Sequence, residues 1–224
     1  MADTSRTDQA GQDRNAGDVG VGPFITISRQ FGCYGFSLGL LLMEILNDDA
    51  APEETWRIYH REILERLATE TNMAAELLDR EQAEQPRLLV DFFRSFKKSR
   101  IPSGYEIRKG ITTIIRGLAM DGHAILIGQG GAQATHDLPN GLWLRLEAPE
   151  EWRCREVALR EGLSETQARK RVAEMEKQRE EVRKLYRKQL QRVPEYHLTY
   201  DCSVFTLAQI ARHVVQAMRI KGLA

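Results

Sequence analysis

The chain of 224 residues has no surplus of either charge: Lys and Arg together number 32, as do Asp and Glu, so the formal net charge at pH 7 is zero. That balance excludes a basic protein that coats nucleic acid and an acidic tail protein. No apolar run reaches the roughly 18–20 residues of a membrane span. The start has no basic stretch followed by an apolar one, so no secretory signal is expected. Cysteine is scarce, with Cys33, Cys154 and Cys202 far apart and without metal-ligand spacing. Neither a disulfide framework nor a zinc site is expected, and a reducing cytoplasm is the expected compartment. Internal repeats are absent too. What the chain does have is 42% hydrophobic residues, enough to bury a core of one ordinary domain.

Residues 1–23 contain no aromatic side chain and little to bury, which predicts a disordered leader before a single domain over 24–224. Phe24-Ile25-Thr26-Ile27-Ser28 reads as a buried strand. A turn with Gly32 and Gly35 follows, then a helix whose apolar face is expected to carry Leu38, Leu40, Leu41, Leu42, Ile45 and Leu46. A short strand is expected at Trp56–Tyr59, and helical patterns from about 60 to 120, among them the stripe Leu88, Leu89, Phe92, Phe93 and Phe96. Ala124-Ile125-Leu126-Ile127 is a second clear strand, closed by Gly128-Gln129-Gly130-Gly131. Leu142 to Leu146 form a third, and Cys202-Ser203-Val204-Phe205 is expected to be the last. Trp143 and Phe205 are both expected to sit in strands of the core. Pro149 and Glu150 mark a helix start. Ser164-Glu165-Thr166-Gln167 is a capping box opening a charged helix that runs to about Arg192. Nearly continuous apolar strands separated by helices predict an α/β fold with a parallel sheet covered on both faces.

Ligands of such sheets sit at the carboxyl ends of the strands, where two glycine-bearing turns occur here, 28–37 and 128–131. The amides of a turn that opens a helix can wrap a phosphate, and Ser37 in the first helical turn can reach a magnesium ion or a phosphate oxygen. No lysine precedes Ser37, so this is not a Walker A sequence. Glycines that merely let helix and strand approach would give the same pattern. In the charged helix, Ala168, Val172, Met175, Val182 and Tyr186 form an apolar stripe that is broken by Arg179. Arg179, Arg183 and Arg187 share one face. A guanidinium set in an apolar seam is a candidate phosphate ligand. The plainer alternative is a solvated face paired with Glu176, Glu180 and Glu181. The break at Arg179 excludes a stable coiled coil.

These residues together resemble the cytidylate kinase-like family, a branch of the nucleoside monophosphate kinases. Ile25-Thr26-Ile27-Ser28-Arg29 with Gly32, Gly35 and Gly39 matches its opening unit. Tyr59-His60-Arg61-Glu62-Ile63-Leu64, the run from Ala124 to Ala132, Ala148-Pro149 with Arg153, and Arg160-Glu161-Gly162-Leu163-Ser164-Glu165 match later segments in order. The resemblance spans about residues 24–220. It implies a P-loop kinase fold in three layers, with a helical acceptor-binding insert at about 60–120 and a lid with an arginine-rich helix at about 150–192. It implies transfer of a phosphoryl group from ATP to CMP or dCMP with Mg2+, and no nucleic-acid or membrane partner.

By the same resemblance Ser28, Arg29, Gly32, Cys33, Tyr34, Gly35, Ser37 and Arg153 would hold ATP, with Ser37 also at the metal. Arg61 and Gln129 would bind the acceptor, and Arg179 and Arg183 would be catalytic. The chain departs from the family at four places. Phe36 replaces an arginine, Tyr34 a glycine, Gln129 an arginine, and His60 an aspartate. These departures keep a catalytically impaired, nucleotide-binding regulatory protein as the alternative expectation.

Overall fold

The computed structural model describes residues 21–48, 50–64, 104–190 and 195–224. The elements are β1 (Phe24–Arg29), α1 (Gly35–Asn47), a 3-10 turn (Pro52–Glu54), β2 (Arg57–Tyr59), α2 (Gly104–Asp121), β3 (Ala124–Ile127), α3 (Gly131–Ala134), β4 (Gly141–Glu147), α4 (Glu150–Glu161), α5 (Glu165–Leu190), β5 (Leu198–Asp201) and α6 (Leu207–Ile220). Residues 61–64 open a further helical turn. Most of the expected leader, most of the insert at 60–120 and the Leu88–Phe96 stripe lie outside the described residues. Val21 and Gly22 already belong to the fold: Val21 packs against the core and the Gly22 amide donates to Met120.

All five strands are parallel, in the order β2-β3-β1-β4-β5. Their apolar runs serve two faces at once, because alternate side chains point to opposite sides. Ile25, Ile27, Ile125, Ile127, Leu142, Leu144 and Leu146 pack with Leu38 and Leu42 of α1 and with Ile210, Val214 and Met218 of α6. Phe24, Ala124 and Leu126 face the other way, onto Ile111, Ile114, Ile115 and Leu118 of α2. A third cluster joins Phe31 to Cys154 and Val157 of α4 and to Ala168 and Val172 of α5.

Local signals place the helix ends. Pro149 caps α4, Glu150 and Glu151 fill its first turn, and Gly162 closes it at φ 64°, a left-handed angle that suits glycine. The capping box of α5 forms, with the Ser164 amide donating to Gln167 at 2.8 Å and the Gln167 amide to Ser164 at 3.4 Å. Among the described residues no helix is long and apolar enough to cross a membrane.

The last strand differs from expectation. β5 is Leu198–Asp201, and Cys202–Phe205 form the turn after it. The Asp201 carboxylate accepts from the Ser203 amide at 2.8 Å and from its hydroxyl at 2.6 Å, and the Asp201 carbonyl accepts from Val204 and Phe205. Such an Asp-centred turn outcompetes strand pairing, so Val204 is exposed and Phe205 rests on Tyr200 and His213. Phe205 is thus no core strand residue. Trp143 is on β4 as expected, half-buried against His197.

β1 occupies the centre, and the chain reaches β3 on one side of it and β4 on the other. That switch point opens a crevice at the carboxyl ends. β1 and β4 approach closely at Gly141, where a Cβ would lie 2.5 Å from the buried Phe24 ring. Gly141→Ala is therefore expected to destabilise the protein by about 1–3 kcal/mol in urea unfolding. Adding Phe24→Leu should recover part of that loss; no recovery would show that the ring is not the obstacle.

Candidate functional site

The first turn leaves β1 at Arg29 and enters α1 at Gly35. Within it the Cys33 amide donates to Gln30 at 3.2 Å and the Gly35 amide to Cys33 at 2.8 Å. No side chain caps α1. The Phe36 and Ser37 amides therefore face outward without an acceptor inside the helix, at the positive end of its dipole. Ser37 is exposed in this first turn. Gly32 has φ 96°, and a Cβ there would lie 2.8 Å from Arg153 Cβ and 3.0 Å from the Arg153 carbonyl oxygen. Only glycine lets the turn rest on α4 in this way.

Tyr34 does not fill the turn. Its hydroxyl donates to Glu156, its ring meets Trp152 edge-on at 6.2 Å, and the Arg160 guanidinium lies 5.7 Å from the ring centre. The side chain thus lies along α4. Burial and the contact with Glu156 push its hydroxyl up to about 12.

The second turn strings together three left-handed residues, Gly128 at φ 72°, Gln129 at 52° and Gly130 at 76°. Arg29 spans the space between the turns. A Cβ on Gly35 would press on the Arg29 stem at 3.2 Å, and a Cβ on Gly128 would lie 1.7 Å from Arg29 Nη1. The guanidinium of Arg29 therefore stands where the two turns converge. Burial, and then repulsion from Arg179, push it down to about 9 against the pull of Glu176.

α5 lies over this region. Arg179 Nη1 donates to the Arg29 carbonyl at 2.9 Å, and its guanidinium lies 5.3 Å from the centre of the Phe31 ring. This is the break in the apolar stripe: Ala168 and Val172 are buried and Met175 packs beside them, while Arg179 covers an aromatic face instead. Burial lowers Arg179 as well, with Glu176 and Cys33 opposing and Arg183 and Arg145 adding to the effect. Arg183 reaches Glu180 at 2.7 Å and Glu176 at 3.6 Å. The side chain of Arg187 lies outside those described.

Arg153 is buried and serves the backbone. Its Nε donates to Ala148 at 3.0 Å and its Nη1 to Phe31 at 3.2 Å. It braces the first turn against α4. Ser28 sits on β1 opposite Arg145 of β4. Arg61 is exposed just after β2.

Sequence reasoning missed the ring of Phe31, the reach of Glu176 to the first turn, and the meeting of Cys33 with Cys202. Phe31 supplies the ring over which Arg160, Arg171 and Arg179 gather. Glu176 accepts from the Phe31 amide and faces Arg153, Arg179 and Arg183. Cys33 and Cys202, remote in sequence, meet here as free, buried thiols. Contact with the Cys202 thiol, and with it Arg153 and Arg179, lowers the Cys33 thiol against burial. Cys202 itself is pushed up. The link from Glu176 to the arginines left a trace in the sequence, since it stands three residues before Arg179 and seven before Arg183 on one helical face.

Two departures from the family pattern touch each other. The Phe36 and His60 rings meet edge to face at 5.1 Å, so an aromatic pair stands where the resemblance leads one to expect an arginine and an aspartate. Such pairs contribute roughly 0.5–1.5 kcal/mol beyond area burial. A double-mutant cycle of Phe36→Ala and His60→Ala in urea should return a coupling at the low end of that range, because Phe36 is 44% exposed. Additive losses would show that the two rings stand independently.

Comparison with known proteins bears on the same segments. No curated protein matches the chain. A crystal structure of an uncharacterized protein from Eubacterium ventriosum ATCC 27560 superposes with a TM-score of 0.63 over 88% of this chain and 98% of that one, at 18% identity, and so shares the fold. The sequence model of the cytidylate kinase-like family matches residues 24–204, from the start of β1 to the turn after β5, and includes both glycine turns and α5. The chain, with its parallel sheet, paired glycine turns and arginine-bearing helix, belongs to the cytidylate kinase-like family.

Proposed function

We propose that the protein is a nucleoside monophosphate kinase that moves a phosphoryl group from ATP to CMP or dCMP. The family supports a kinase-like, nucleotide-binding protein; the donor, the acceptor and the residue roles are our reading. The observation that carries it is the position of Arg29. Its half-buried guanidinium stands between the turn that opens α1 and the turn that follows β3, with Arg179 donating to its carbonyl. Phosphoryl transfer needs little covalent chemistry and chiefly requires positioning and fixed positive charge around the moving group. Half-buried arginines set beside one another are well suited to this, because their repulsion and partial desolvation are relieved when an anion arrives.

In this reading the donor phosphates lie at the α1 end, against the outward amides of Phe36 and Ser37. ATP supplies the phosphoryl group and Mg2+ the counter-charge. The residues fit both. The helix end is uncapped by any side chain, and the exposed Ser37 hydroxyl would hold the metal. Among the described residues no group of three His, Cys, Asp or Glu could cage a metal, which suits an ion held mainly by phosphate oxygens and water. Gln129 and Arg61 would meet the acceptor at the β3 and β2 ends of the crevice. Arg179 and Arg183 would close on the phosphates from α5, while Gly32, Cys33, Gly35 and Arg153 shape the turn that carries them. Three free cysteines suit a cytoplasmic setting.

The Phe36–His60 pair favours a second reading, a protein that binds nucleotides without turning them over. It places rings where a cation would have stood beside Ser37.

Magnesium-dependent ADP release measured across the nucleoside monophosphates separates the two. CMP or dCMP should give the highest kcat/KM, and Arg29→Met should lower kcat by roughly 100-fold or more with an unchanged circular dichroism spectrum. Calorimetric binding of ATP and CMP without turnover would move the protein to the second reading. Turnover that survives Arg29→Met intact would remove Arg29 from the proposed site.

A further inference from the structure

Glu176 holds a position that neither the family nor the proposed roles assign. Its carboxylate accepts from the Phe31 amide in the first turn. It also lies 3.6 Å from Arg179, 3.6 Å from Arg183 and 4.0 Å from Arg153. A main-chain amide of the turn together with several guanidiniums is the environment that recognises a phosphate oxygen. The partners are held unequally. The amide contact is a hydrogen bond, whereas the three guanidiniums sit beyond hydrogen-bond distance. Arg179 donates instead to the Arg29 carbonyl at 2.9 Å and Arg183 to Glu180 at 2.7 Å. The carboxylate thus balances these cations without locking them.

We propose that Glu176 is a positioning residue and internal competitor: it parks Arg179 and Arg183 over the first turn and occupies, as an anion, the charge that a polyphosphate must take over. The proposal depends on the kinase-like reading of the site. A phosphate chain at the α1 end and Glu176 draw on the same arginines, and one negative charge among them lowers the attraction for any second anion. Binding of polyphosphate then draws Arg179 and Arg183 off Glu176 and loosens the tie between α5 and the turn. One residue couples the charge of the site to the pose of the helix above it.

The test uses inorganic tripolyphosphate and, separately, ATP, titrated calorimetrically into the full-length parent, Glu176→Gln and Glu181→Gln. The side-chain amide introduced by Glu176→Gln can still accept from Phe31 but carries no charge. Glu181 is exposed and pairs with Lys184 at 3.1 Å on the same helix, so its substitution removes an equal charge from the outer face. Glu176→Gln should bind tripolyphosphate about tenfold more tightly, equivalent to about 1.4 kcal/mol, and Glu181→Gln should match the parent. Equal or weaker binding by Glu176→Gln, with the parent binding normally, would overturn the proposal and leave the kinase-like reading intact. Equal tightening in both variants would overturn it as well, as an effect of bulk charge. Binding by none of the three would remove the phosphate site and the proposal together. If Glu176→Gln is too unstable to titrate, saturating tripolyphosphate must raise its melting temperature more than it raises the parent's; an equal or smaller rise counts against the proposal.

Discussion

A half-buried guanidinium at the end of the central strand governs the geometry of this crevice. Arg29 is continuous with β1, so the sheet fixes its origin, and its side chain must run between two turns to find room. Gly35 makes way for its stem and Gly128 for its head. Those glycines therefore serve a cation as much as a backbone. Gly32 does a different job, letting the turn rest on α4 at Arg153. The choice between glycines for packing and glycines for a ligand does not divide here, because one set of close approaches builds both the packing and the charged crevice. The counter-charge near Arg29 is Glu176, which also faces three other arginines.

The sheet was legible in the sequence because its physics is local. Short β-branched runs mark β1 and β3, and glycines end each run where the chain turns. The capping box at Ser164 and the Pro149 start of α4 depend on residues within three positions of each other. Cys202–Phe205 misled for the same reason: its apolar letters suit a strand, but the neighbouring Asp201 carboxylate binds Ser203 and turns the chain. The break at Arg179 was visible as a fault in a helical stripe. Its meaning was not, since the ring it covers is Phe31 and the carboxylate beside it reaches a main-chain amide 145 residues away. Nor could spacing show that Cys33 and Cys202 meet.

The departures from the family pattern are absorbed in different ways. Tyr34 brings a ring to a position where a glycine is expected, and α4 offers it Glu156, Trp152 and Arg160, so the ring leaves the turn clear. Phe36 and His60 depart as a contacting pair, which keeps the first turn of α1 tied to the end of β2 by ring contact. Neither departure restores positive charge near Ser37. Among the described residues, Arg29 and the arginines of α5 bring positive charge to this turn.

A chain of zero net charge can still hold such a site because its charges are sorted by face. On the outer side of α5, Glu165 pairs with Arg169 at 3.0 Å and Glu181 with Lys184 at 3.1 Å, in exposed contacts that contribute little to stability and project little field. On the inner side Arg179 and Arg183 join Arg29 and Arg153 around Glu176 and Glu180. Cations exceed anions in that cluster, in surroundings that water screens poorly. A distant anion would be drawn in weakly, whereas one already in the crevice would be held strongly. That distinction suits a small, highly charged ligand that must enter between two turns.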